Sequence, residues 1–391
     1  MSESSPALDE IHYEPSEEFV ESSNVYAFMQ EHDIDTFEEL HERTVTDLDG
    51  VEAAGLDWFW DEVVDYLGLD FYEDYDQVRD DSDGPQFTDW YVGGELNIAH
   101  NVVDRHAAPE SETRNKVATI WEGEPGEVRE ITYHELHQQT NRVANALEER
   151  GIETGDTVGL YMPMVPEIVP LLYGCFKVGA IAVPIFSGFG VDATATRIED
   201  AECTVLFTGD GFYRRGDEIE LKGAADEAID EAGHVEHTIV YDRLDSTTSD
   251  IPWDDDRDEW WADAVGTQSD EYETKSLPSD QESMLLYSSG TTGKPKGIVH
   301  THAGGLVQPA KEIFFSFDHK PSDRFFWVSD IGWMMGPWTL IGNHAHGGTI
   351  FLYEGAPDEP EPDRFWRMID DHGLTTFGIS PTAIRALQKY G

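Results

Sequence analysis

The chain has 391 residues, enough for two or three domains and a large core. It carries 80 Asp and Glu against 25 Lys and Arg, a net charge of −55, which excludes nucleic acid and anionic membrane surfaces as partners because both need basic patches. Aromatic residues make up 12% of the chain, so the acids belong to the surface of a folded protein and not to a disordered tail.

The N-terminus has no basic region followed by an apolar run, so no signal peptide is expected. Residues 1–95 read as an acidic, aromatic, mainly helical cap on a larger body. Helix-like pieces are expected between Val25 and His41, with apolar residues at Phe28, Met29, Phe37 and Leu40. A second amphipathic helix runs from Trp58 to Leu67 and stops at Gly68, and Asp81 to Pro85 is a turn.

From residue 96 onward strands and helices alternate. Thr132 and Glu135 form a capping box that opens a helix stopping at Gly151. Val158–Tyr161 reads as a buried strand. Pro166 opens the next helix and Gly179 ends it, before a strand over Ala180–Pro184. A short helix holds Arg197, and strands follow at Thr204–Thr208 and Thr238–Tyr241. Further strands are expected at Phe325–Val328, Thr349–Tyr353 and Leu374–Ile379. Repeated strand–helix–strand units predict an α/β fold with parallel-rich sheets flanked by helices. The apolar run from Val165 to Phe186 is broken by Pro166, Glu167, Pro170, Lys177 and Pro184, so no membrane span is expected. Cys175 and Cys203 read as buried thiols, which suits a reducing cytoplasm.

One segment carries the chemistry. Tyr287 to Gly297, YSSGTTGKPKG, holds three glycines, four Ser or Thr hydroxyls and two lysines. Glycines admit close backbone approach, and N–H, hydroxyl and ammonium donors replace water on a polyanion. From Ser283 to Lys311 there is no acid, while Lys294, Lys296 and Lys311 are present. Such relief from a negative field is what a nucleotide triphosphate needs. The plainer alternative is a Gly-rich turn between two buried strands. A Walker A loop does not fit, because Ser288 stands where its first glycine belongs and Pro295 follows Lys294.

The segment resembles the phosphate-binding signature of adenylate-forming enzymes, the acyl-CoA synthetase and luciferase superfamily. Tyr161 to Glu167, Ile185 to Phe189, Ser329 to Trp333, and Ser380 to Thr382 are similar to segments of the acetyl-CoA synthetase type. The same holds for Asn97 to Asn101 with Asp104 to His106, and more weakly for residues 1–95. The resemblance implies the N-terminal lobe of an adenylate-forming enzyme: a cap over residues 1–95 and an AMP-dependent ligase body over residues 96–391. It implies an AMP-forming acid–thiol ligase that turns a short carboxylate, ATP and coenzyme A into an acyl-CoA. It places Thr291, Lys294 and Lys296 in catalysis, with Ser288, Ser289, Gly290, Thr292, Gly293 and Gly297 around the triphosphate. Mg²⁺ would bridge phosphate oxygens, with no metal ligand assigned on the protein. Phe186, Gly188 and Arg214 would meet coenzyme A, Arg214 being open to a surface ion pair instead; Asp217 stands where a second arginine is usual.

The resemblance sets the acyl pocket at Trp333, Met334, Met335 and Gly336. Small or β-branched residues stand at positions 334 and 335 in acetate-specific relatives, so acetate or another short or medium carboxylate remains open, as does a core-filling role for the two methionines. Asp330, a lone carboxylate among apolar residues, reads either as a cap or as a catalytic group. His300, His302, His344 and His346 lack the cysteine company and ligand number of a zinc site. The family's mobile C-terminal lobe is expected to be absent from the 391 residues, and a separately encoded lobe is a candidate partner. A non-catalytic nucleotide- or partner-binding fragment, or an adenylating enzyme with another thiol acceptor, are the competing readings.

Overall fold

The structure is a computed structural model and describes residues 14–48, 50–51, 53–288 and 295–390. Its N-terminal part is helical. The helix-like pieces between Val25 and His41 are two helices, Asn24–Glu31 and Phe37–Val45, capped by the Ser23 and Thr36 hydroxyls. The break follows from Asp33, at φ +53°, which no helix accommodates. Phe28, Met29 and Leu40 are buried, but Phe37, first in its helix, faces solvent. The helix Leu56–Leu67 ends at left-handed Gly68 as its sequence suggests. Asn24 stitches this region to the body: its amide donates to Phe314 O at 2.8 Å and His319 O at 3.0 Å.

Two sheets form the body. The first runs in the order Asp258–Trp260, His237–Tyr241, Val205–Gly209, Thr157–Tyr161, Ile181–Pro184, Glu282–Ser288, Lys296–Thr301. All neighbours are parallel except the last pair, an antiparallel hairpin. The second runs Thr376–Gly378, Arg324–Trp327, Thr349–Glu354, Val117–Gly123, Val128–Thr132, again parallel except for the last pair.

The helix Ile168–Val178 is buried on every side, because it packs in the core that joins both sheets. That explains why its apolar residues fall on every face of the helix and not on one stripe. Gly179, at φ +75°, ends it where a residue with a Cβ would be strained. The Thr132–Glu135 capping box opens the helix Tyr133–Glu149, with Thr132 N–H donating to Glu135 Oε2 at 2.8 Å. Cys175 and Cys203 are buried free thiols, and burial pushes both up in pKa. Among the described residues no helix is long and apolar enough to cross a membrane.

Candidate active site

Parallel strands point their C-terminal ends the same way, and ligands of open α/β sheets bind outside those ends. Here both sheets deliver their ends to one cleft of about 850 Å³. From the first sheet come Pro163 and Met164, then Phe186, Ser187 and Gly188, and the hairpin residues Phe212, Tyr213 and Arg214. From the second come Val328 to Asp330, Gly355, and Ile379 with Ser380.

The two walls are locked together. Asp330 Oδ2 accepts from Ser187 Oγ at 2.7 Å and Asp330 Oδ1 accepts from Gly332 N–H at 2.8 Å. A Cβ on Gly332 would stand 2.2 Å from Phe186 N, so only glycine lets the backbones meet. Phe186, Phe189 and Trp333 pack edge to face or tilted, with centroids 5.3 to 5.9 Å apart. Tyr161 OH fixes the turn by donating to Phe189 O at 2.7 Å.

Asp330 is therefore a turn cap and a wall of the cleft at once. Burial pushes its carboxyl up to about 6, against the amide and hydroxyl bonds that favour the charge. Glu354, also on the cleft, is pushed up to about 7 by burial although Arg243 donates to it from Nε at 2.8 Å and Nη2 at 2.6 Å.

Sequence reasoning placed several residues here, and the cleft gathers part of them. Phe186, Gly188, Arg214, Trp333 and Met335 line it. Met334 is exposed outside its lining, and Gly336 is buried against the Asp330 and Ile331 backbone. Arg214 is exposed and donates to Gly355 O at 3.3 Å, whereas Arg215 turns away to Asp358 at 2.8 Å. The ion pair foreseen as the alternative thus falls on Arg215.

Ser289, Gly290, Thr291, Thr292, Gly293 and Lys294 lie outside the described residues. Their flanks are described: Ser288 and Lys296 face each other across the hairpin, and Lys296 and Gly297 are exposed. The hairpin base connects to the Phe186–Phe189 turn through a guanidinium packed over two aromatic rings. Arg197 lies 5.4 Å from the Tyr287 ring centroid and 4.2 Å from that of Phe189. Tyr287 OH donates to Asp200 at 2.7 Å.

The plainer alternative, a turn between two buried strands, does not describe this loop: Lys296–Thr301 is an edge strand, and Ile298 and Val299 are about half exposed. Lys311 belongs to the acid-free stretch but not to its hairpin; it ends the helix His302–Lys311 with Nζ 5.5 Å from the Trp60 ring centroid.

Ser187 lay inside a turn already matched to coenzyme A, whereas Gly332, Tyr161 and Arg197 were given no site role beforehand. The signal was position: Ser187 and Gly332 follow strand ends, where such clefts form. His344 is spent on Tyr173 OH at 2.7 Å and Ala118 O at 3.0 Å, and His346 on Ala310 O at 2.8 Å. Among the described residues no three metal-ligating side chains converge.

The geometry agrees with what relatives show. The family model of AMP-binding enzymes matches residues 104–391, and that of the acetyl-coenzyme A synthetase N-terminus matches residues 37–102. The acetyl-coenzyme A synthetase of Streptomyces coelicolor is 44% identical over 80% of this chain and 47% of its own length. That of Methanothrix thermoacetophila is 40% identical over 95% of this chain and 54% of its own. The chain thus spans about half the length of the curated relatives it matches. The solved acetoacetyl-CoA synthetase of Streptomyces lividans superposes with a TM-score of 0.85 at 29% identity, over 96% of this chain and 56% of that one. With the AMP-binding match running over nearly three quarters of its length, the chain belongs to the family of AMP-binding enzymes.

Proposed function

We propose that this chain forms the N-terminal lobe of an AMP-forming acyl-CoA synthetase acting on a short, acetate-like carboxylate. A carboxylate oxygen attacks the α-phosphorus of ATP, giving acyl-adenylate and pyrophosphate. The coenzyme A thiol then displaces AMP and forms the thioester. The observation that carries this reading is the cleft where both parallel sheets end, lined by Arg214 and the Phe186–Gly188 turn together with Trp333 and Met335. Arg214, with no carboxylate among its described partners, suits a phosphate of coenzyme A.

Thr291, Thr292, Gly293, Lys294 and Lys296 hold the triphosphate, with Ser288, Ser289, Gly290 and Gly297 shaping the loop. Fixed positive charge there stabilises the departing pyrophosphate. Mg²⁺ would be carried by the phosphates, since in the cleft Asp330 spends its oxygens on Ser187 and Gly332 and Glu354 is paired with Arg243 through one oxygen. Met334 and Met335 leave a longer carboxylate open as substrate. The division into a cap, residues 1–95, and a ligase body, residues 96–391, is supported by family matches that meet between 102 and 104. The rest of a relative's length is the lobe with which this reading has the N-terminal lobe work. The buried free thiols support a reducing, cytoplasmic setting.

Exchange of labelled pyrophosphate into ATP, run with a relative's C-terminal half supplied, tests the reading. Lys294→Ala with Lys296→Ala should lower the carboxylate-dependent rate by about two to three orders of magnitude. Exchange equal to the parent's would end the proposal.

The net charge of −55 further supports life in concentrated salt, which screens repulsion to within a few ångströms. The melting temperature should climb with potassium chloride concentration. A melting temperature that is unchanged or higher in dilute buffer would remove the halophilic reading.

A further inference from the structure

The loops after Ile181–Pro184 and after Arg324–Trp327 belong to different sheets, yet one side chain holds both. Asp330 takes the Ser187 hydroxyl on one oxygen and the Gly332 amide on the other, at 2.7 and 2.8 Å. Capping the 330–332 turn needs only one of those oxygens, so the second bond is an addition that the turn does not require. It reaches 143 residues back along the chain, to the Phe186–Gly188 turn. The titratable groups that face Asp330 are the Arg214 guanidinium on the strand Gly211–Arg214 and the neutral Tyr161 phenol at the end of its strand. Neither bonds to its carboxylate, so the carboxylate is retained in an apolar wall without a cation in contact. Such an arrangement is costly unless it positions something.

We propose that Asp330 is a positioning residue: it latches the Phe186–Gly188 turn to the Asp330–Trp333 turn, so that Phe186 and Trp333 form one preformed wall of the cleft. What enters the cleft rests on the proposed function; the latch does not.

Hydrogen–deuterium exchange on the 391-residue chain at fixed pH tests it. In Asp330→Ala, amides in both 185–189 and 330–334 should exchange about tenfold faster, the scale of one lost hydrogen bond. Asp330→Asn keeps an acceptor for Gly332 and offers Ser187 Oγ a donor, so it should restore protection in both segments. Ser187→Ala should loosen 185–189 and carry the effect into 330–334. A change confined to 330–334 would reduce Asp330 to a local cap and overturn the proposal. An Asp330→Ala chain that does not fold leaves the decision to Ser187→Ala and Asp330→Asn, whose predicted outcomes differ. Calorimetry with coenzyme A supplies the second readout: Ser187→Ala should weaken binding about fivefold. If the exchange coupling holds while coenzyme A binds neither chain, the latch stands and the proposed function fails.

Discussion

Asp258 and Asp330 are both buried, at 5% and 7% exposure, yet their carboxyls shift in opposite directions. Burial pushes each up. At Asp258 it is outweighed: Lys222 Nζ donates at 2.7 Å, Arg257 Nε at 2.8 Å and Asp254 N–H at 2.9 Å, and the carboxyl ends below its ordinary value. Lys222 is itself wholly buried and also bonds Asp226. At Asp330 the Ser187 hydroxyl and backbone amides answer the charge, with Arg214 acting only from a distance, and burial wins. The first region is a closed set of ions that holds a sheet edge to a helix. The second keeps an acid in an apolar wall beside a cleft. In a chain this acidic, the count of buried carboxylates says little; the nature of their partners separates scaffold from site.

Three substitutions break or sharpen that contrast, all read by denaturant unfolding. Lys222→Ala should cost most, about 3–5 kcal/mol, because it strands Asp226 and Asp258 with Arg257 alone. A loss below about 1 kcal/mol would put Asp258 in the same class as Asp330.

Asp330→Asn comes next. A carboxyl whose folded pKa is raised contributes stability that is complete below its ordinary 3.8 and is lost as pH climbs through about 6. The span of 6 − 3.8, about two units, corresponds to at most about 3 kcal/mol. Asp330→Asn should therefore be more stable than its parent at pH 8 by up to that amount, with the gap closing by pH 4. A gap of opposite sign would mean that a cation partners Asp330 after all. Gly332→Ala should cost about 1–3 kcal/mol by driving a Cβ into Phe186. No loss would show that the two walls are not in the close contact described.

Much of the scaffold could be read in advance because its signals are local. The Thr132–Glu135 box, the stop at Gly179 and the apolar strands Val205–Gly209 and Thr349–Glu354 depend on neighbours in sequence. The site was legible as segments but not as contacts. Ser187 meets Asp330 only because two sheets end together, and no spacing rule reports that. Lys311 shares an acid-free stretch with Lys296, but a helix carries it to Trp60, since charge along a chain is not charge in space. Ile298 and Val299 are apolar yet half exposed, because an edge strand and a central one can have the same composition. Arg214 and Arg215 are adjacent and alike; the positive φ of Arg215, +58°, sends one to the cleft and the other to Asp358.

The exposed margin formed by Lys296–Thr301 has a consequence for handling the molecule. A sheet border with half-bare Ile298 and Val299 is a template on which another copy can zip. Electrostatic repulsion between polyanions keeps such copies apart in dilute buffer. Concentrated salt, the condition expected to steady each fold, shortens that repulsion to a few ångströms. Conformational and colloidal stability of this chain therefore pull the ionic strength in opposite directions.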